Sequence, residues 1–536
     1  MPLRVGNLRL DVVESEAALP ARLAAKLRLR PEEIVRWRIL RKSLDARDKD
    51  DLAFVYSTEV VVADEASLLR RLGRRQGPLT IEPYAEPPFV MPAPGQEPLP
   101  HPPVVVGSGP GGLAAAYFLA LHGYQPLVLE RGAPVNTRIR DVAAFDAGGP
   151  HNPESNYLFG EGGAGTFSDG KLTCRGSGPD VRRTLEMYAE CKGKPSILYD
   201  HRPHLGSNRL PAVVKAQRQR IEALGGRFQF HCRVEDLDLA EGRVRGVMTS
   251  SGYVPASVVV LAMGHSARDT YEMLLRRGVP MQPKPFQLGV RIEQPQDQIN
   301  RACYGPRPLE EVLGSASYTV VAKAGRHDLF SFCMCAGGYV MPSVSEPGHF
   351  CTNGMSLAQR DSPFANSGLV VTLDVDEFPS SHPLAGMHLQ RQFERAAYLL
   401  SGDRYLCPIQ WANDFLTKRR THGQPPSSYP RGVLGTDLAA VLPPPVVAAL
   451  HRALPVIDRK WQGRFLKEAT LVGPEARGSA PVRLPRDTTT RESPGVVGLY
   501  PVGEGAGYAG GIISAAVDGL RTAKAIIGRF APLAAG

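Results

Sequence analysis

Residues 103–132, PVVVGSGPGGLAAAYFLALHGYQPLVLERG, constrain the fold more than any other stretch. Val104–Val106 is a short β-branched run of the kind a strand buried on both faces requires. Gly107, Gly109 and Gly112 then fall on GxGxxG, with Ser108, Pro110 and Gly111 between them. In such a turn the first glycine permits the sharp bend and the second lets a pyrophosphate approach the backbone. The third lets the following helix lie close on the strand. That helix continues through Ala114–Leu121 and ends at Gly123, and its free N-terminal N–H groups favour phosphate. Leu127–Leu129 is a second strand. Glu130 at its end, followed by Arg131, is placed to accept a hydrogen bond from an adenosine ribose hydroxyl. Strand, turn, helix, strand and acid at these spacings predict a dinucleotide site, for which NAD and FAD serve equally well.

A chain of 536 residues suggests about three domains at ordinary domain size. Hydrophobic content of 43% and charged content of 22% are enough for a large core. The net charge of +10 is spread along the chain, and its arginine-rich spots at 36–47 and 70–75 read as solvated faces. No nucleic-acid motif with interleaved aromatics accompanies them, so no nucleic-acid partner is expected. No signal-peptide core and no run of about 18 apolar residues is present, so no membrane association is expected. The eight cysteines show no CxxC pair and no zinc spacing. They read as reduced thiols of a cytoplasmic protein with no metal site.

Residues 1–97 read as a small α+β domain with a proline-rich linker. Strands are expected at Arg4–Val12, Ile34–Leu44 and Leu52–Val62, and helices at Ala17–Leu27 and Asp64–Leu72. This order fits a ferredoxin-like split unit. Residues 84–103 are crowded with prolines and predict a stiff, extended connection. Residues 98–280 form the first part of the dinucleotide domain. Within it, GEGGAGTFSDGKL (160–172) is a glycine-rich loop suited to wrap a cofactor, through Gly163, Thr166, Phe167 and Ser168. Lys171 is either an exposed loop lysine or a charge set near a reduced flavin or an anionic substrate. Helices are expected at Val181–Cys191 and Ala212–Leu224, and a strand begins near Val234. Tyr253–Leu261 reads as one strand running into Met263-Gly264, with Gly264 beside the cofactor.

Residues 281–484 change texture to many short strand-like segments and read as an inserted β-rich substrate domain. Strands are expected at Phe286–Glu293, Ser317–Ala322, Leu329–Cys335, Cys351–Met355 and Leu369–Val375, with one helix at His388–Leu400. If FCMC (332–335) is a strand, Cys333 and Cys335 share a face with Cα atoms about 6.5–7 Å apart, so a disulfide between them needs a bent backbone. Two buried small hydrophobes are favoured over a redox pair.

The tail, 485–536, completes the dinucleotide domain and decides the cofactor. Leu499–Val502 is a strand ending at Gly503. Glu504 is placed to bind a hydroxyl-rich chain, and GAGYAGG leads through Gly511 into a helix from Ile512 to Ile527. A second dipole-bearing helix start suits an extended FAD, with adenosine on the first turn and the flavin end on the second.

These segments resemble the two-motif FAD-dependent oxidoreductases of the glutathione-reductase-like superfamily. More narrowly they are similar to a bacterial family known only as uncharacterised FAD-dependent dehydrogenases. GSGPGGLAAA, FGEGGAGTFSDGKL, KPFQLGVRIEQPQ, FCMCAGGYVMPSVSE, NGMS, SPFANS and YPVGEGAGYAGGIISAAVDGL carry the resemblance along nearly the whole chain. It implies that Gly107, Gly109, Gly112, Glu130, Gly264, Gly503 and Glu504 serve FAD. Where the family suggests a segment like VETRTSSPVR, this chain has GPEARGSAPVR (473–483), which leaves the role of Arg477 open. There is no CxxxxC pair and no histidine in an attachment sequence. FAD is therefore expected to bind noncovalently, with NAD(P)H or an electron-transfer partner as a diffusible donor or acceptor for a small-molecule substrate. Three readings stay open: a dehydrogenase or reductase moving a hydride to or from flavin N5, a monooxygenase or oxidase, and a non-catalytic flavin-bearing regulator. Lys171, Arg291, Cys333, Cys335 and Tyr508 are the candidate catalytic residues.

Overall fold

The computed structural model describes residues 1–72, 75–76 and 79–533. Its centre is a five-stranded parallel sheet in the order Leu499–Pro501, Val259–Leu261, Val104–Val106, Leu127–Leu129, Arg227–Gln229. Val104–Val106 pairs on both sides and all three valines are buried, as the β-branched run requires. The strand order turns back at this strand, so the crevice at its carboxyl end is where an open α/β sheet takes a ligand. The apolar helix Pro110–Leu121 packs against Ile512–Arg529 near the end of the chain. Gly519 makes that crossing possible, since a Cβ there would lie 2.1 Å from the Gly111 carbonyl oxygen.

The single strand expected over Tyr253–Leu261 is two. Gly252–Pro255 pairs with Arg243–Thr249 in a three-stranded antiparallel sheet, while Val259–Leu261 belongs to the parallel sheet. Pro255, with no N–H to offer a ladder, stands at the break.

A seven-stranded sheet runs in the order Val321–Ala324, His327–Cys335, Phe364–Leu373, Phe286–Pro295, Thr470–Glu475, Cys407–Trp411, Val433–Gly435. Phe286–Pro295 alternates between two packed faces and pairs along its whole length with Phe364–Leu373. The segment expected as strand from Ser317 enters the sheet only at Val321, and the strand expected at Leu369–Val375 begins earlier, at Phe364. The long helix Ala385–Leu400 matches its expectation, and Pro444–Lys460 packs on the edge of this sheet.

At the N-terminus, Ile34–Asp45, Ala53–Val62, Leu3–Asp11 and Leu79–Pro83 pair antiparallel in that order, with Arg75–Gln76 at the edge. Leu19, Leu23 and Leu27 form the buried stripe of the helix Leu19–Leu27. The basic spot at 36–47 is laced with ion pairs, Arg36 and Arg38 to Glu59 and Lys42 to Glu16, while positions 73 and 74 of the second spot lie outside the described residues. The proline-rich connection is extended as expected but docked. The Gly95 and Glu97 N–H groups donate to the carbonyls of Ile527 and Arg529. Among the described residues no helix is long and apolar enough to cross a membrane.

Candidate functional site

A cavity of about 430 Å³ lies at the carboxyl ends of four parallel strands, and both glycine turns open onto it. Its volume is in the range of small-molecule and cofactor sites. On the first turn Gly107, Gly109, Pro110 and Gly111 line the cavity, and Gly107 takes a left-handed φ of 95°. Gly112 does not line it. A Cβ there would lie 2.0 Å from the Gly107 carbonyl oxygen, so this glycine serves the close packing of helix on strand. On the second turn Gly503, Glu504, Gly511 and Ile512 line the cavity. The Gly503 N–H donates to Asp518 at 2.7 Å, and Arg486 clamps that carboxylate at 2.6 Å. Both helices therefore present their amino ends to one space.

The glycine-rich loop closes over that space because Arg138 holds it from behind. This fully buried guanidinium donates to the carbonyls of Asn156, Gly160, Glu161 and Gly163 at 2.8–3.2 Å. Burial pulls Arg138 down to about 10, with Glu130 and Glu161 supporting its charge. Gly163 and Ser168 reach the cavity, and so do Val234, Gly264 and Arg131. Thr166 and Phe167 do not. The Thr166 hydroxyl donates to the Glu161 carbonyl at 3.0 Å, and Phe167 packs against Tyr157. They shape the loop rather than touch what it covers.

Glu130 faces the cavity, yet its own chain saturates it. One oxygen accepts from the Ser108 N–H at 2.9 Å and hydroxyl at 2.6 Å; the other accepts from the Gly132 and Gly160 N–H groups at 2.9 and 3.1 Å. A ribose hydroxyl must share or displace one of these bonds. Arg131 lies 4.1 Å over the Phe159 ring and pairs with Glu154 and Asp269.

The opposite wall carries side chains. Lys171 lines it with its ammonium 2.8 Å from buried Asp169, which also accepts from Ser356 at 2.6 Å. Phe332, Cys333, Asn353 and Arg477 complete it. Arg477 is held by Glu394 at 2.8 Å, and the same carboxylate holds Arg268 at 2.8 Å. Burial opposes the Glu394 charge, but the two guanidiniums bring it down to about 2. His265 also lines the cavity, and burial lowers it to about 3, so it is a neutral imidazole.

Three of the candidate catalytic residues are not on the cavity wall. Arg291 is fully buried behind it. It pairs with Glu475 at 3.1 Å and donates to the Asn353 side chain at 3.1 Å and the Cys333 carbonyl at 3.2 Å, which makes it a positioning residue. Cys335 is buried behind Cys333. Tyr508 is 38% exposed and lies beneath Arg483 and Arg486, so it is a surface ring in a cationic setting. Lys171 and Cys333 do line the cavity. Arg138, Asn353 and His265 escaped the sequence reading, although Asn353 lies in NGMS and His265 directly follows Gly264. Nothing local marks which polar residue of such a segment turns inward.

Family models match most of these parts. An NAD(P)-binding Rossmann-like domain matches residues 105–164, an FAD dependent oxidoreductase 203–337, and an FAD-dependent protein C-terminal domain 285–478. A domain of unknown function matches 3–61. A protein of Clostridium beijerinckii, itself described only as uncharacterised, is 40% identical over 534 residues, 99% of each chain. The chain belongs to the FAD-dependent oxidoreductase family. It is an enzyme of that family, which sets aside the reading of a non-catalytic regulator. Among solved structures, CtdE with FAD bound resembles it at 10% identity over 79% of this chain and 86% of that one, TM-score 0.32. L-proline dehydrogenase from P. horikoshii does so at 11% identity over 80% and 93%, TM-score 0.33. Scores this low carry nothing about chemistry.

The residues present fit FAD. A Cβ on the cavity-facing Gly109 would meet its nearest atom 3.9 Å away, and one on Gly264 would meet none within 4 Å, so backbone is left bare toward the ligand. Glu504 accepts from the Ala480 N–H at 2.9 Å through one oxygen, while its other oxygen is buried without a partner. Burial pushes this carboxyl up to about 7 against the Ala480 N–H and Lys284, and a ribityl hydroxyl would complete it.

Proposed function

We propose that this FAD-dependent oxidoreductase is a dehydrogenase or reductase of a small molecule, acting in the cavity between the two helix starts and the wall of Lys171 and Cys333. The observation that carries this is the asymmetry of that one cavity. Bare backbone and helix N-termini lie on one side, and charged or nucleophilic side chains on the other. When bound, FAD supplies a reversible hydride acceptor at N5. The chain supplies the rest. The first turn and the glycine-rich loop would bind the pyrophosphate, Glu504 would take a hydroxyl of the ribityl chain, and the amino end of the Ile512–Arg529 helix would favour negative charge on the reduced cofactor. Lys171 holds a positive charge where an anionic substrate or reduced cofactor sits, and Asp169 fixes its ammonium. Arg291 positions Asn353 and the Cys333 backbone.

Several finer features belong to the same reading. The cofactor is held noncovalently in the two-motif manner. The segment 281–484 is an inserted substrate domain, residues 98–280 and 485–536 make one FAD-binding domain, and residues 1–97 form a ferredoxin-like unit, supported by the strand order at the N-terminus. The protein works in the cytoplasm, drawing on NAD(P)H or a protein partner for electrons. An anaerobic titration of the purified flavoprotein with NADH, NADPH and candidate substrates tests this. Bleaching of the flavin by a substrate or nicotinamide, without rapid oxygen uptake, is expected. Rapid oxygen consumption by the reduced protein would instead make it an oxidase or monooxygenase, and protein that takes up no flavin would end the proposal.

A further inference from the structure

The strand His327–Cys335 does not stay a strand at its end. Cys333 has a φ of 46°, in the left-handed region that a residue with a Cβ seldom occupies, and pairing with Phe364–Leu373 loses register between Phe332 and Cys335. The extended geometry that would hold the two cysteines apart is therefore absent here. Cys333 lines the cavity, while Cys335 is fully buried behind it, its thiol donating to the Cys333 carbonyl at 3.2 Å. Arg291 holds the same carbonyl from the other side at 3.2 Å. Strain of this kind, kept in place by a buried arginine at a cavity wall, is what a functional turn looks like.

The electrostatics separate Cys333 from four other thiols of the chain. Burial pushes Cys191, Cys303, Cys351 and Cys407 up, as for inert structural cysteines. Cys333 moves the other way. The neighbouring Cys335 thiol lowers it most, and Lys171 and Arg291 lower it further. Burial and the neighbouring Cys333 push Cys335 up. Cys333, which lines the cavity, is the more easily ionised of the two, and its neighbour keeps a proton behind it.

We propose that Cys333 and Cys335 are a redox-active dithiol–disulfide pair that exchanges electrons with the flavin in the same cavity. The inference rests on the flavin reading above and adds a second redox centre to it. In the forward direction Cys333 enters as thiolate and Cys335 as thiol. The Sγ–Sγ bond forms and the Cys335 S–H bond breaks. The electron pair and that proton pass to an oxidised flavin, which leaves with the negative charge the thiolate brought. The reverse step returns the thiolate and thiol. Lys171, which lines the same cavity and whose charge both cysteines support, offsets that charge. Its own charge is opposed by burial and more than restored by Cys335, Cys333 and Asp169.

The test uses the full-length, FAD-loaded protein and its Cys335→Ser variant. Both are oxidised with diamide, freed of it and titrated anaerobically with dithionite. The wild type should consume twice the electron equivalents per flavin of Cys335→Ser. Independently of the flavin, alkylation and chymotryptic digestion without reductant should show the Cys333–Cys335 peptide, cut after Phe332 and Tyr339, unalkylated and lighter by two hydrogens after diamide, and doubly alkylated after the titration. Wild type that takes only the flavin's own equivalents, with both cysteines alkylated after diamide, overturns the proposal. So does a disulfide that forms but stays closed when the flavin is reduced. If Cys335→Ser fails to fold, the electron count and peptide masses of the wild type decide alone. Protein that cannot be loaded with FAD overturns the proposed function together with this pair, whereas FAD-loaded protein with a single redox centre overturns the pair only.

Discussion

The wall of the cavity built on the parallel sheet and the wall that carries Cys333 differ in what they present and in how they are held. The first presents backbone: two glycine turns and two helix starts, fixed by steric necessity, so that Gly112 and Gly519 fit where no side chain could. The second presents side chains, and buried charge holds them: Lys171 on Asp169, Arg291 on Glu475, Arg477 on Glu394. A wall of backbone suits a ligand with a fixed pyrophosphate, whose recognition needs bare N–H groups. A wall of paired charges keeps polar groups aimed at the cavity, and breaking one buried pair strands its partner.

Substitutions on each wall should therefore fail in different ways. The largest effect is expected at Gly112. Gly112→Ala drives a Cβ onto the Gly107 carbonyl oxygen and should cost about 4 kcal/mol or more, visible as loss of soluble folded protein. On the other wall, Glu394→Gln leaves the buried Arg268 and Arg477 without the carboxylate they share. A loss of about 3 kcal/mol in urea unfolding is expected with FAD still loaded, and an unchanged midpoint would show that charge pairing does not hold this wall.

Glu504 sits where the two walls meet and gives a smaller, pH-dependent effect. Its folded value of about 7 lies above the unfolded 4.5, so the native state binds the proton more tightly. Its contribution is fully present below pH 4.5, declines as pH rises toward 7, and is lost above that. Glu504→Gln should therefore gain on the wild type by about 2 kcal/mol between pH 5 and pH 8 in flavin-free protein. In the loaded protein, where a hydroxyl completes the carboxyl, the gain should shrink, and equal gains in both forms would remove Glu504 from the cofactor site. The smallest change in stability belongs to Gly109→Ala, within about 1 kcal/mol, because its φ of −70° suits alanine and the nearest atom to the new methyl is 3.9 Å away. FAD affinity should nevertheless fall by roughly tenfold or more, read by flavin retention on gel filtration.

The sequence alone determined the parallel-sheet wall. Gly107, Gly109, Gly503 and Gly511 are legible because a glycine between an apolar strand and a helix has few other reasons to be there, and contacts close in sequence dictate its conformation. The N-terminal strands and the stripe of Leu19, Leu23 and Leu27 are legible for the same local reason of periodicity. Tyr253–Leu261 reads as one strand because its apolar run carries no sign that two different sheets share it. The tertiary structure alone decided the second wall. Lys171, Cys333, Asn353 and Arg477 are far apart in the chain, and their direction is set by partners just as distant, Asp169 excepted. It also withdrew Tyr508 and Arg291 from the cavity and filled the carboxylate of Glu130 with bonds from its own loops. A backbone turn is specified by the residues that make it. The aim of a buried charged side chain is specified by the counter-charge that folding brings to it, and for Arg291 and Arg477 no stretch of sequence contains both.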